Sequence, residues 1–143
     1  MIFLFDLRAA MALKGRIKFS SVAEEIKRIV AVLTDLMFLV KIQEAAKQTG
    51  FAVTAVKCRQ DALKHARNNP AAIILDLNFA SSQPLELIGE LKSDPELRKI
   101  PLLGFVSHVH ADLIQAAREK GCDTVVARSA FSQDLPAILR RYL

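Results

Sequence analysis

From residue 29 onward the chain repeats one pattern five times: a short apolar run rich in β-branched residues, a polar turn, then a stretch with apolar residues at helical spacing. Uninterrupted apolar runs of this kind describe strands buried on both faces. Parallel strands need crossovers of about a dozen residues, which the amphipathic stretches provide. The alternation therefore predicts an α/β fold with a parallel sheet and helices on both sides. Strands are predicted over 29–33, 52–56, 72–75, 102–106 and 124–127. Leu36, Leu39, Val40, Ile42 and Ala46 repeat at helical spacing and predict a helix over 35–48 that stops at Gly50. Asp61 is expected to cap a short helix through Ala66 and Arg67 that ends at Asn68-Asn69-Pro70. Pro84 opens a helix over 85–92, a further helix over 111–120 stops at Gly121, and one over 132–142 closes the chain.

A chain of 143 residues has room for one domain. With 52% hydrophobic and 24% charged residues, the composition is that of a folding chain rather than a disordered one. No apolar run reaches the roughly 20 residues that span a bilayer. The start MIFLFDLRAA carries Asp6 and Arg8 where a secretory leader stays apolar, so a cytoplasmic protein is expected. Cys58 and Cys122 match no metal-ligand or redox spacing and read as free thiols. The net charge of +5 would suit nucleic acid, but the groups Lys14, Arg16, Lys18 and Lys27, Arg28 are scattered and aromatics make up only 6%. These lysines and arginines read as solvated faces, and nucleic acid is not the expected partner.

Residues 1–28 stand outside the repeat and form an N-terminal extension to the domain at 29–143. MIFLFDL fits an additional strand, and Ser20-Ser21 ahead of Val22 to Ile26 fits a capped helical turn. An element that packs on the sheet edge or mediates dimerisation, and a tail or upstream extension without a packing role, are both open readings.

In open α/β sheets ligands bind at the carboxyl ends of the strands, so the residues that end each strand are the candidates for chemistry. They are Thr34-Asp35, Asp76-Leu77-Asn78, Val106-Ser107-His108 and Arg128-Ser129. Two carboxylates a few ångströms apart repel unless a cation lies between them, and Mg²⁺ takes such oxygens together with carbonyls and water. Asp35 and Asp76 could hold one; alternatively Asp35 caps the first helix and Asp76 a turn. His108 and His110 would point the same way in an extended segment, but no third ligand is evident and they read as loop residues. Cys122 reads as a small buried residue rather than a nucleophile.

The segment DLNFASSQPLELIGELKSDPELRKIPLLGF, residues 76–105, resembles the receiver domains of two-component response regulators from the phosphoacceptor aspartate to the fourth strand, without gaps. GCDTVVAR, residues 121–128, is similar to the same family's approach to its fifth strand and its lysine. The resemblance covers residues 29–143. It implies a flavodoxin-like (CheY-like), doubly wound (βα)5 domain with strand order 2-1-3-4-5. It places Asp76 on the phosphoacceptor, Asp35 on a second acidic ligand and Asn78 where a backbone carbonyl reaches Mg²⁺.

The departures from that family are as specific as the matches. Thr34 stands where a first acidic residue is usual, which removes a charge and weakens cation binding. Val106 takes the place of the hydroxyl that bonds the phosphoryl group, with Ser107 one position later. Arg128 replaces the lysine, Ser129 a proline and Val125 the aromatic ring that moves on activation. The resemblance thus implies a stand-alone receiver-like signalling and protein-interaction module with impaired phospho-switching, weak Mg²⁺ binding at most, and no enzymatic turnover. Its partner surface is expected at about 111–142, rimmed by Arg118, Arg140 and Arg141, facing a histidine kinase, a downstream protein or a second copy. The alternative is a working receiver phosphorylated on Asp76, with Ser107 and Arg128 stabilising the phosphoryl group. A basic nucleic-acid-binding accessory protein is the third reading.

Overall fold

The structure, a computed structural model, describes residues 26–107 and 110–142. Strands β1 (Lys27–Val32), β2 (Phe51–Val56), β3 (Ala72–Asp76), β4 (Leu102–Val106) and β5 (Thr124–Ala127) alternate with helices α1 (Leu36–Thr49), α2 (Arg59–Ala66), α3 (Pro84–Ser93), α4 (Ala111–Lys120) and α5 (Arg128–Arg140). All strand pairs are parallel, in the order β2-β1-β3-β4-β5. This is the expected doubly wound sheet. The expected N-terminal extension lies outside the described residues except for its last three, and β1 begins within it at Lys27, pairing Lys27 with Phe51 and Arg28 with Ala52.

The side-chain alternation of each strand divides the core in two. Ile29, Ala31, Ile74, Leu103 and Phe105 face α1 and α5, meeting Phe38, Ile42, Phe131 and Leu135. Val30, Val32, Ile73, Leu75, Leu102 and Val106 face the other way, meeting Ala62 of α2, Leu87, Ile88 and Leu91 of α3, and Ala117 of α4. Each fully buried Leu, Ile or Phe contributes about 1.5–3 kcal/mol relative to exposure. No helix among the described residues is long and apolar enough to cross a membrane.

Helix ends follow the sequence with two corrections. Gly50 and Gly121 close α1 and α4 in the left-handed region, at φ 87° and 112°, and Pro84 opens α3. The cap of α2 is Cys58, whose Sγ accepts the Asp61 N–H; Asp61 sits one turn in, where its charge suits the helix dipole. Helix α5 starts at Arg128, four residues before the expected 132, and runs through Pro136. At the opposite end of the sheet, Lys92 Nζ donates to the carbonyls of Arg98 and Ile100 and to Asp123, whose Oδ2 also accepts the Leu102 N–H at 2.8 Å. One lysine and one aspartate thus fix the entry to β4 and β5.

Gly104 lies mid-strand in β4 because a Cβ there would come 2.9 Å from Leu77 Cδ1 and 3.2 Å from Cys122 Sγ. Gly104→Ala is expected to lower stability by about 1–3 kcal/mol in urea denaturation, through overpacking. Gly89→Ala in α3, where a Cβ would meet only Lys120 Cδ at 3.8 Å, is expected to raise it by roughly 0.5–1 kcal/mol.

Candidate functional site

The parallel strands bring Asp35, Asp76 and Arg128 to one edge. Asp76 is the last residue of β3 and only 9% exposed. Its Oδ1 accepts the Asn78 N–H at 2.9 Å and its carbonyl accepts the Phe79 N–H, so it forms the turn that leaves the strand. Burial raises its carboxyl above the ordinary carboxylate range, opposed by the Asn78 N–H and the Arg128 charge and reinforced by Asp35.

Asp35 is the N-cap of α1, with extended backbone and Oδ1 accepting the Phe38 N–H at 3.0 Å. Its Oδ2 accepts from the Arg128 guanidinium in an ion pair about one-third exposed. The Arg128 bond and then the cap bond hold its carboxyl below the usual value. The guanidinium lies over the Phe38 ring, 4.5 Å from its centroid. Phe38 in turn packs on Phe105 at 4.6 Å, and Phe105 stacks on Phe131 at 5.5 Å. Arg128 thus rests on an aromatic layer built from α1, β4 and α5.

Asn78 Oδ1 accepts the Ser107 N–H at 2.6 Å, tying the turn after β3 to the end of β4, and the Asn78 carbonyl accepts the Ala80 N–H at 3.0 Å. Ser107 is exposed and lines, with Met37, Lys41, Arg128 and Ser132, a cleft of about 630 Å³ between α1 and α5. Val106 and Val125 are buried in the core on the α2–α3–α4 side. Thr34 is exposed, and Ser129 is an exposed residue of the first turn of α5. His108 lies outside the described residues. The Cys122 thiol is buried and pushed up to about 11 chiefly by desolvation, which makes it unreactive as a nucleophile. Both cysteines are free, as expected.

Mg²⁺ asks for a near-octahedral oxygen set. Here one oxygen of Asp35 caps a helix and the other binds a guanidinium, and Thr34 supplies no charge. Among the described residues no group of three His, Cys, Asp or Glu side chains is placed to share a metal. The residues present therefore do not fit a divalent cation while Arg128 stays where it is. Sequence reasoning missed the Asp35–Arg128 pair and the Phe38 platform. The one local signal was Phe38 lying three residues after a capping aspartate.

No protein-family model and no curated protein matches the sequence. Solved structures do match. The phosphorylated cyanobacterial phytochrome response regulator RcpA is similar at a TM-score of 0.68 with 26% identity, over 81% of this chain and 90% of that one. A response regulator from Hahella chejuensis aligns at a TM-score of 0.74 with 19% identity, over 82% and 95%. The receiver domain of a sensor histidine kinase from Pseudomonas aeruginosa, with a magnesium ion coordinated in its active-site cleft, aligns at 0.71 with 19% identity, over 82% and 97%. The chain has the CheY-like fold of response-regulator receiver domains, as the sequence resemblance implied.

The two carboxylates make opposite predictions. Asp35, held low, contributes stability above its unfolded value near 3.8 that is lost as pH falls through its lower folded value. Asp35→Ala is expected to lower stability by about 1–2 kcal/mol near neutral pH, through loss of cap and ion pair, with the deficit shrinking in acid. Asp76, held high, is favoured by folding in its protonated form, so its ionisation destabilises the fold as pH rises. Asp76→Asn is expected to raise the melting temperature by roughly a few degrees near pH 7 and to have no effect near pH 3, read by thermal melts across pH.

Proposed function

We propose that the chain is a receiver-like signalling module of two-component type, in the cytoplasm, that acts by binding a protein partner, with phospho-switching impaired and without enzymatic turnover. The observation that carries this reading is Val106: it ends β4, is 0% exposed, and stands where the resemblance calls for the hydroxyl that bonds the phosphoryl group. A valine in the core has no atom to offer an anion at the strand ends. Val125, buried in the same cluster, offers no ring to move inward.

A switch requires an element with two arrangements that the ligand stabilises unequally. A phosphoryl group on Asp76 would have no such grip on β4 or β5 through these positions. What remains is a surface. β5 is a sheet edge with Thr124 and Val126 partly exposed, flanked by exposed Arg118 of α4, Arg140 at the end of α5 and Arg141 after it. These arginines rim a face at about 111–142 that also exposes Asp112, Glu119, Asp123 and Asp134, a mixed-charge surface suited to a protein partner, on a histidine kinase, a downstream protein or a second copy.

The second reading, a phosphorylatable receiver, draws on the position of Asp76 beside Asp35 and Arg128 and on the magnesium held by the Pseudomonas aeruginosa receiver domain. The test is an NMR titration with beryllofluoride and Mg²⁺, together with mass spectrometry after exposure to a small phosphodonor. The proposal expects no phosphoryl adduct on Asp76 and no shifts in α4, β5 or α5. An adduct lost in Asp76→Asn, with shifts that reach α5, would establish the second reading instead.

A further inference from the structure

The site that a divalent cation would need already contains a cation of the protein's own. We infer that Arg128 is the resident counter-ion of this acidic edge: it takes the place of the metal, and it closes the site to metal until the guanidinium is displaced from Asp35. The inference rests on the receiver-like reading of the site and says how that site is kept in one state.

Three observations converge on it. First, Asp35 takes a direct bond from the guanidinium through Oδ2, and Asp76 lies near enough for the charges of both Arg128 and Asp35 to act on its carboxyl. Second, Arg128 is not a loose surface side chain: its planar head lies on Phe38, itself packed on Phe105 and Phe131, while it donates to Asp35 Oδ2. A guanidinium can stack and pair at once, which a lysine ammonium cannot do in the same geometry. Third, Arg128 is the first residue of α5, where no acidic residue occupies the first turn. A cation there opposes the helix dipole, and Asp35 offsets that placement.

Asp35 thereby joins the N-termini of two helices with one carboxylate, capping α1 with Oδ1 and holding α5 through Arg128 with Oδ2. A metal could reach Asp35 only by taking Oδ2 from Arg128. Arg128 is a positioning residue for the α1–α5 contact and a direct competitor for the metal's ligand.

The consequence is a gain of binding on removal of a side chain. In Arg128→Met an uncharged, apolar side chain replaces the guanidinium over Phe38. Mn²⁺ is the probe, because its paramagnetism broadens amide signals near its site. The expected result is that the full-length wild-type chain shows no saturable broadening around Asp35, Asp76 and Asn78. The methionine variant should bind at least roughly tenfold tighter, and adding Asp35→Asn to it should abolish the gain. Arg128→Gln supplies the same neutral test should the methionine variant lose its native spectrum.

Equal Mn²⁺ affinity in wild type and a folded neutral variant would overturn the inference, and so would a gain that persists without Asp35. Neither outcome depends on phosphorylation, so the impaired-switch reading stands or falls separately, on the phosphoryl adduct and the shifts in α5.

Discussion

Strands β1, β3 and β4 present side chains to two helix layers at once, so nearly every position in them must be apolar and every backbone group must find its partner in the parallel ladder. This burial fixes the register, because a one-residue slip would exchange the two faces of the core. Fixed register aligns the carboxyl ends of the strands, and in these three strands polar residues fall at the ends, Lys27 and Arg28 at the start of β1 and Asp76 at the close of β3. Asp76 and the residues just past the ends of β1 and β5, Asp35 and Arg128, therefore come together as a by-product of the sheet. They lie at one edge although Asp35 and Arg128 are 93 residues apart in the chain.

Within that edge, two ways of neutralising Asp35 compete. A divalent cation brings more charge but asks for several oxygens and must shed water to bind them. A guanidinium brings one charge, already dehydrated on one face by Phe38 and held by the helix that carries it. With Thr34 in place of a further carboxylate and both oxygens of Asp35 already bonded, the charged oxygens available to a metal are few. The balance moves toward the protein's own cation. The pair is about one-third exposed, so solvent screens it, and its strength lies in the cap and the aromatic platform as much as in the charges.

The repeat of buried run and amphipathic stretch made the five strands, the glycine stops at Gly50 and Gly121 and the proline start at Pro84 legible, because each is a local signal with a local cause. Strand order was implied by the resemblance alone. The start of β1 was obscured because Lys27 and Arg28 are exposed and charged, yet they extend the ladder to β2. The start of α5 was obscured because Ala127 caps it without a side-chain bond, so nothing at 127–130 marks a boundary. At α2 the thiol of Cys58 does what an aspartate does elsewhere, and Asp61, a standard cap residue, drew attention to a position one turn too late. All five candidate site residues lie at the predicted edge, but which atom binds which depends on helix start and side-chain direction. Asp35 therefore remained open between cap and ligand, and it proves to be cap and ion-pair partner together.

Val106 and Val125 bear on the same balance from inside the core. A hydroxyl at the end of β4 would need a partner when buried, and an aromatic ring in β5 would need room to turn. Valine needs neither, and both positions instead pack with Ile88, Leu102 and Ala117 on the α2–α3–α4 side. On the opposite side Arg128 and Asp35 bind α5 to α1. β4 and β5 are thus held from both faces by contacts that favour one arrangement, apolar on one side and ionic with aromatic support on the other. Asp76 thus lies beside strands held from both faces, so a change at that carboxylate works against close packing on one side and an ion pair on the other.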